Sequence, residues 1–181
     1  LQPVSNFQGG LERKLYTYNA ANAAIAYAGF LKGYALLADA ANDPQILALA
    51  RGVCAEAGAA LVRRHGFDPD EQRAFAEGCL AKYQDRAIVD PIERNARDPL
   101  RKLGRYDRLV GPACLCLEYE IAPEHLATAI AAALHYHPAA DPAAQRLQQR
   151  LQCEGLPEVL KDVCGIEPAS SLGEKIGARY P

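Results

Sequence analysis

An all-α fold is predicted for this 181-residue chain by three observations: helical periodicity runs through most of it, strand alternation is nearly absent, and proline and glycine punctuate the apolar stretches. The length suits a single domain, 1–181, able to bury roughly two-thirds of its unfolded surface. The expected architecture is several antiparallel helices around one core.

Taken in order, Ala20 to Ala41 reads as one long helix, in which Ile25, Leu36 and Leu37 supply bulk and the alanines permit close approach of neighbours. Asn42-Asp43-Pro44 ends it, because proline restricts the residue before it and suits the first turn of a new helix. The next helix runs through Ile46, Leu47, Leu49, Ala50, Val53, Ala57 and Leu61, an i, i+3, i+4 pattern that buries one stripe, and stops at Gly66. Asp68-Pro69-Asp70-Glu71 supplies an N-cap, a first-turn proline and dipole-favoured acids for a helix from about Pro69 to Tyr83. Asp85 to Arg97 is charged and weakly periodic, and is expected to be an extended loop of the length that often carries function. Helices resume around Asp98, over Gly111 to Ile121, Pro123 to His135, Asp141 to Cys153 and Leu156 to Cys164. A last helical stretch lies near the end, where Gly173 to Pro181 is expected to fray, and Gly9-Gly10 is read as a doublet in an N-terminal lead-in.

Composition narrows the function. Twenty Lys and Arg against 22 Asp and Glu give a net charge of -2, so nothing global favours nucleic acid or an anionic membrane, and any anion binding must be local. The six cysteines lie in apolar stretches without a secretory leader, which is expected of reduced core thiols in a cytoplasmic protein. No apolar run is read as reaching the ~20 residues of a membrane span. The chain contains no methionine and opens on Leu1, so it is read as an excised piece.

Two polar groupings carry chemistry. In Glu12 to Gly29, ERKLYTYNAANAAIAYAG, Lys14, Tyr18 and Asn22 fall on one i, i+4 ridge of a helix at ~100° per residue, with Asn19 beside Asn22. These residues either converge on a site or serve as a solvated lysine and capping asparagines; asparagines this early in a helix do little for its stability. The second grouping is Arg97-Asp98-Pro99-Leu100-Arg101-Lys102-Leu103, followed by Arg105 and Arg108. Backbone N–H groups and guanidinium forks there suit a phosphate or carboxylate, and the six cations from Arg94 to Arg108 repel one another unless an anion sits among them.

The Lys14-Leu15 start, the asparagine five residues after the lysine, Tyr27-x-Gly29, and the run Asp98 to Leu103 together resemble the polyol-specific long-chain dehydrogenases. Arg64-His65-Gly66-Phe67-Asp68, Asp107-Arg108-Leu109 and Ala131 to Tyr136 extend the resemblance along nearly the whole chain. It implies the C-terminal, multi-helical substrate domain of a two-domain enzyme, similar to the C-terminal fold of 6-phosphogluconate dehydrogenase. An N-terminal Rossmann half would bind NAD; this chain has no G-x-G-x-x-G after a strand, so the cofactor half is expected to be absent from it and the fragment alone inactive.

The implied reaction interconverts mannitol 1-phosphate and fructose 6-phosphate. Lys14 matches the family's general base, which must lose its proton near neutral pH through desolvation or a neighbouring cation, with no metal needed. Asn19 matches the amide that holds the developing alkoxide. The family pattern carries histidine eight residues after the lysine; here Asn22 stands there, able to donate a hydrogen bond but not to shuttle a proton near neutral pH. Arg97, Arg101 and Lys102 are the residues expected to meet the remote phosphate or line its entrance.

Other features carry less. Cys114-x-Cys116 and His135-x-His137 lack a second pair at structural-zinc spacing, so no metal site is expected. His135 and Tyr136 either line the sugar pocket or pack, and Glu118 and Glu120 form no defensible dyad. Two rival readings stand beside the sugar-phosphate enzyme: a catalytically silent helical binding or dimerisation module, and an oxidoreductase acting on sugar acids such as fructuronate.

Overall fold

The computed structural model describes residues 7–180; Leu1 and Pro181 lie outside them. The described residues are helical throughout except for turns, loops and one antiparallel bridge between Leu36 and Pro91. The lead-in containing Gly9-Gly10 is itself a helix, α1 (Phe7–Arg13), which runs directly into a π-helical turn, Lys14–Asn19, and then into α2 (Ala20–Leu31). Six of the first seven residues of α2 are buried, and the helix packs on several neighbours at once because its alanines hold no helix axis away.

The long helix expected from Ala20 to Ala41 is broken. It stops at Leu31, turns through Gly33 at φ 78°, a left-handed conformation that favours glycine, and restarts as α3 (Leu37–Ala41). The intervening residues pair with the 85–91 loop: Leu37 N–H donates to Asp90 O and Ile92 N–H donates to Ala35 O, each at 2.9 Å. A local helical pattern cannot signal that competing long-range pairing.

The Asp-Pro boundaries behave as their chemistry dictates. Asp43 accepts from Gln45 and Ile46 N–H at 2.8 and 3.1 Å to start α4 (Pro44–His65), which ends at Gly66 with φ 67°. Asp68 caps α5 (Pro69–Gln84) in the same way. The expected 85–97 loop is shorter than predicted, because Pro91 starts a small helix, α6 (Ile92–Ala96), whose Ile92 and Ala96 are buried. Asp98 starts α7 (Pro99–Lys102).

Beyond it come α8 (Val110–Glu118), α9 (Glu124–Leu134) and α10 (Pro142–Asp162), the last interrupted at Gly155 (φ 84°) just before Pro157. The expected boundary between Cys153 and Leu156 is this interruption. The C-terminal stretch does not fray as predicted: α11 (Ser171–Gly177) is capped by Ser170 and buries Leu172 and Ile176 against α9.

Two expectations need correction. α4 is 22 residues long and holds an 18-residue stretch of mean hydropathy 1.4, the length and apolarity of a membrane span by composition. It is instead a core helix, burying one stripe against α2, α5, α8 and α9 and exposing Arg51, Arg63 and Arg64. All six cysteines are free thiols, but only four are core residues: Cys114 is half-buried and Cys153 is exposed on the polar side of α10.

Candidate functional site

The π turn determines how the first polar grouping is presented. In an α-helix, residues five apart lie ~140° apart around the axis. A π turn hydrogen-bonds i to i+5, and so turns Lys14 and Asn19 towards the same side. The i, i+4 ridge expected for Lys14, Tyr18 and Asn22 therefore does not hold as drawn. Lys14 is exposed, and its ammonium has no hydrogen bond or ion pair to any described residue.

Tyr18, Asn19 and Asn22 open onto a polar cleft of about 460 Å³. Its opposite wall is built 70 to 90 residues later in the chain, by Arg94 and Asn95 of α6, Arg101 and Lys102 of α7, and the nearby Arg97 and Arg108. Both sequence-derived groupings thus meet in one place, with Lys14 on the turn that forms the rim rather than among the lining side chains. A larger apolar groove of about 550 Å³ lies between α4 and α5, but small side chains such as Ala55, Ala59 and Ala76 line much of it. Arg51, Arg63, Gln72, Arg73 and Glu77 also line it, but no residue of the two sequence-derived groupings does.

Hydrogen bonds organise the floor of the cleft. Asn22 Nδ2 donates to Asn95 Oδ1 at 3.0 Å, and Asn95 Nδ2 donates to Pro91 O at 3.0 Å. Lys102 is only 3% exposed; its ammonium donates to the Asn95 carbonyl and lies 6.0 Å above the centre of the Tyr27 ring. Burial, then the neighbouring Arg108 and Arg101, lower its pKa to about 8. At the edge of the site, Tyr83 donates to the Tyr18 carbonyl at 2.9 Å.

The cations are unequally available. Arg101 is shared between Asp98 and Asp107 at 3.2 and 3.3 Å, and Arg108 is held by Asp107 at 2.7 Å. Arg94 pairs with Asp90 at 3.0 Å. Arg97 is exposed, and its guanidinium makes no ion pair with a described residue. It stands between the cleft and a neighbouring hollow of about 410 Å³ beside Tyr136 and Asp141.

Sequence reasoning missed Asn95, Tyr83 and Asp90 as cleft residues. Tyr83 and Asp90 carry no local signal, because only the packing of α5 and the 35–92 pairing bring them here. Asn95 lies in a charged, weakly periodic segment whose one local helical signal is Pro91 followed by Ile92 and Ala96, both buried. Tyr136 packs edge-to-face on Tyr27 and Phe30, and His135 stacks on Tyr180, so neither lines the cleft. Glu118 pairs with Arg64. Among the described residues no three His, Cys, Asp or Glu side chains are grouped to hold a metal ion.

Comparison with known proteins places this architecture. The mannitol dehydrogenase C-terminal domain family matches residues 6–168. Mannitol-1-phosphate 5-dehydrogenase of Bacillus licheniformis is 41% identical over 169 residues, which cover 93% of this chain and 45% of that protein. Mannitol 2-dehydrogenase of Pseudomonas fluorescens, solved as a ternary complex with NAD and D-mannitol, superposes with a TM-score of 0.78 at 20% identity, covering 99% of this chain and 38% of the other. A substrate-free D-sorbitol dehydrogenase superposes with a TM-score of 0.77 at 15% identity, covering 98% and 39%. The two structures share the fold, and the chain spans about half the length, or less, of the relatives it matches. With a family match over most of its length, the chain belongs to the mannitol dehydrogenase C-terminal domain family.

Proposed function

We propose that this chain is the substrate-binding half of an NAD-dependent polyol-phosphate dehydrogenase that interconverts mannitol 1-phosphate and fructose 6-phosphate. The observation that carries the reading is the meeting of Asn19 and Asn22 with Arg97, Arg101 and Lys102 across one cleft, beside the turn bearing Lys14. A polyol needs amide and ammonium groups at the reacting carbon, and a phosphorylated one needs cations at a distance from it.

The described residues contain no strand followed by a glycine-rich turn and helix, the element on which a Rossmann fold seats a dinucleotide's pyrophosphate. NAD, seated mainly in an N-terminal Rossmann half, would supply the hydride acceptor. The chain's own residues account for the rest. Lys14, as the free amine, takes the hydroxyl proton of the carbon being oxidised, and its exposure here leaves desolvation to the closing partner half. Asn19 donates to the same oxygen as negative charge builds on it. Asn22, its amide nitrogen engaged by Asn95, has its carbonyl oxygen left to accept from a neighbouring hydroxyl. Arg97, with Lys102 deeper in the cleft and Arg101 at its mouth, meets the phosphate and converts that remote binding into orientation.

The test is kinetic, in the complete protein. Lys14→Ala should lower kcat by roughly 10²- to 10⁴-fold, with little change in melting temperature. Arg97→Ala and Arg101→Ala should raise KM for the phosphorylated sugar far more than for free mannitol, with Arg97→Ala the larger effect because Arg101 is already compensated by two aspartates. Equal effects on both sugars would rule out the phosphate assignment. One observation favours a second reading, a non-catalytic sugar-phosphate-binding module: Asn22 replaces the family's proton-shuttling histidine and is committed to Asn95. Absence of any turnover in the complete protein, with sugar-phosphate binding retained, would select that reading.

A further inference from the structure

The turn that carries Lys14 and Asn19 is not held by its own helix alone. A π turn inserts a residue into the helical ladder and has rarer, less favourable geometry than the α-helices on either side of it. Its relaxation into α register would swing Lys14 and Asn19 apart around the axis by the ~140° that five residues span there. Something must oppose that change.

The opposing contacts come from α5. Gln72 is 3% exposed, yet it is polar and lies on a helix face that is otherwise apolar where it meets the core. Its Nε2 donates at 2.9 Å to Oγ1 of Thr17, a residue in the middle of the π turn with no exposure at all. Its Oε1 accepts from Arg13 Nε at 2.8 Å, at the junction of α1 with the turn. Arg13 is fixed in its turn by donating to Glu71 O at 2.8 Å and by lying over the Phe75 ring at 4.6 Å. Gly58 of α4 leaves the room this requires, since a Cβ there would come 3.3 Å from Gln72 Cγ and Nε2. One buried amide therefore clamps both the start and the centre of the turn. Neither Thr17 nor Gln72 lines the cleft, so neither can act on a substrate directly.

We infer that Gln72, acting through Thr17 and Arg13, is a positioning residue that keeps Lys14–Asn19 in π register and so sets the general base and the alkoxide-holding amide on the same side. The inference rests on the catalytic reading of Lys14 and Asn19 given above. A buried amide–hydroxyl pair serving stability alone would be exchangeable for apolar side chains of the same size with little consequence for turnover.

The experiment compares Thr17→Val, which removes the acceptor at nearly constant volume, Thr17→Ser, which keeps it, and Gln72→Met in the complete protein. Steady-state kinetics with fructose 6-phosphate are read beside melting temperature. Thr17→Val and Gln72→Met should each lower kcat by roughly 10- to 100-fold, the scale of a misplaced catalytic group, while KM stays within about threefold. The double variant should be little worse than Gln72→Met alone, because Gln72→Met already breaks the Thr17 bond together with that to Arg13. Thr17→Ser should restore kcat to within about threefold of the parent. Gln72→Met supplies the test if Thr17→Val folds poorly. Unchanged kcat in a folded Thr17→Val or Gln72→Met variant would overturn the inference, as would Thr17→Ser behaving like Thr17→Val. Lys14→Ala separates this failure from that of the underlying reading: full turnover there overturns the catalytic assignment and the positioning role with it, whereas loss of turnover there together with an active Thr17→Val overturns the positioning role alone.

Discussion

Lys102 shows how one side chain can be both costly to the fold and useful to the cleft. Its burial among Arg101, Arg108 and the Tyr27 ring lowers its pKa from 10.5 to about 8, so the ammonium is charged below about pH 8 and neutral above. For a base whose folded pKa is depressed, the unfolded chain binds more protons between the two values, and stability rises with pH from about 8 to 10.5. The substrate consequence has the opposite direction. A phosphate dianion prefers the charged cleft, so KM for the phosphorylated sugar should climb as pH passes upward through about 8. Lys102→Met should show a higher KM at pH 7 and lose that limb of the pH profile; an identical limb in the variant would assign it to another group. The sequence marked Lys102 as a cation of the cluster but not as a buried one, because burial follows from α7 packing against α10 and from the Asn95 carbonyl waiting beneath it.

Elements position the cleft through close approaches that the sequence states only in part. Gly29 of α2 is the clearest case, since a Cβ there would fall 2.5 Å from Ile92 Cδ1 and 2.7 Å from Ala40 Cβ. Gly29→Ala must therefore push α2 away from α3 and α6, and overpacking of this kind costs about 1–3 kcal/mol. Because α6 also carries Arg94 and Asn95, the same change should weaken sugar-phosphate binding while Lys14 chemistry on bound substrate persists. A lowered melting temperature with a raised KM and near-parental kcat is the expected pattern, and a parental melting temperature would contradict it. Caps, glycine stops and apolar stripes made α4, α5 and the break in α10 legible, since each is written within a few residues. The π turn and the break at Gly33 were not, because each is decided by partners elsewhere, Gln72 and Tyr83 for the first and the Leu36–Pro91 bridge for the second; the helix within 85–97 left only the faint local signal of Pro91, Ile92 and Ala96.

At the scale of the whole molecule, the cleft is a junction where α2, α5, α6 and α7 all contribute side chains to one anion-suited space. Arg94, Arg97, Arg101, Lys102 and Arg108 repel one another there, and Asp90, Asp98 and Asp107 offset only part of that charge. A bound dianion would relieve the repulsion and tie the four helices together, so ligand binding and domain stability are linked. Saturation at 100 times the dissociation constant adds about 2.7 kcal/mol to a folded state that alone binds the ligand. Two proteins should therefore respond differently to fructose 6-phosphate in a thermal melt at low salt. On the proposed reading, in which a second half completes the cleft, the present chain should gain a small, salt-sensitive increment that inorganic phosphate reproduces. The complete protein with NAD should gain more, and there inorganic phosphate should fall well short of the sugar phosphate, because the hydroxyl-recognising groups at Asn19 and Asn22 then face a closed site. Should the isolated chain respond as strongly and as selectively as the complete protein, its cleft would be finished without a partner half, and the non-catalytic sugar-phosphate-binding module would be the better description of what these helices do.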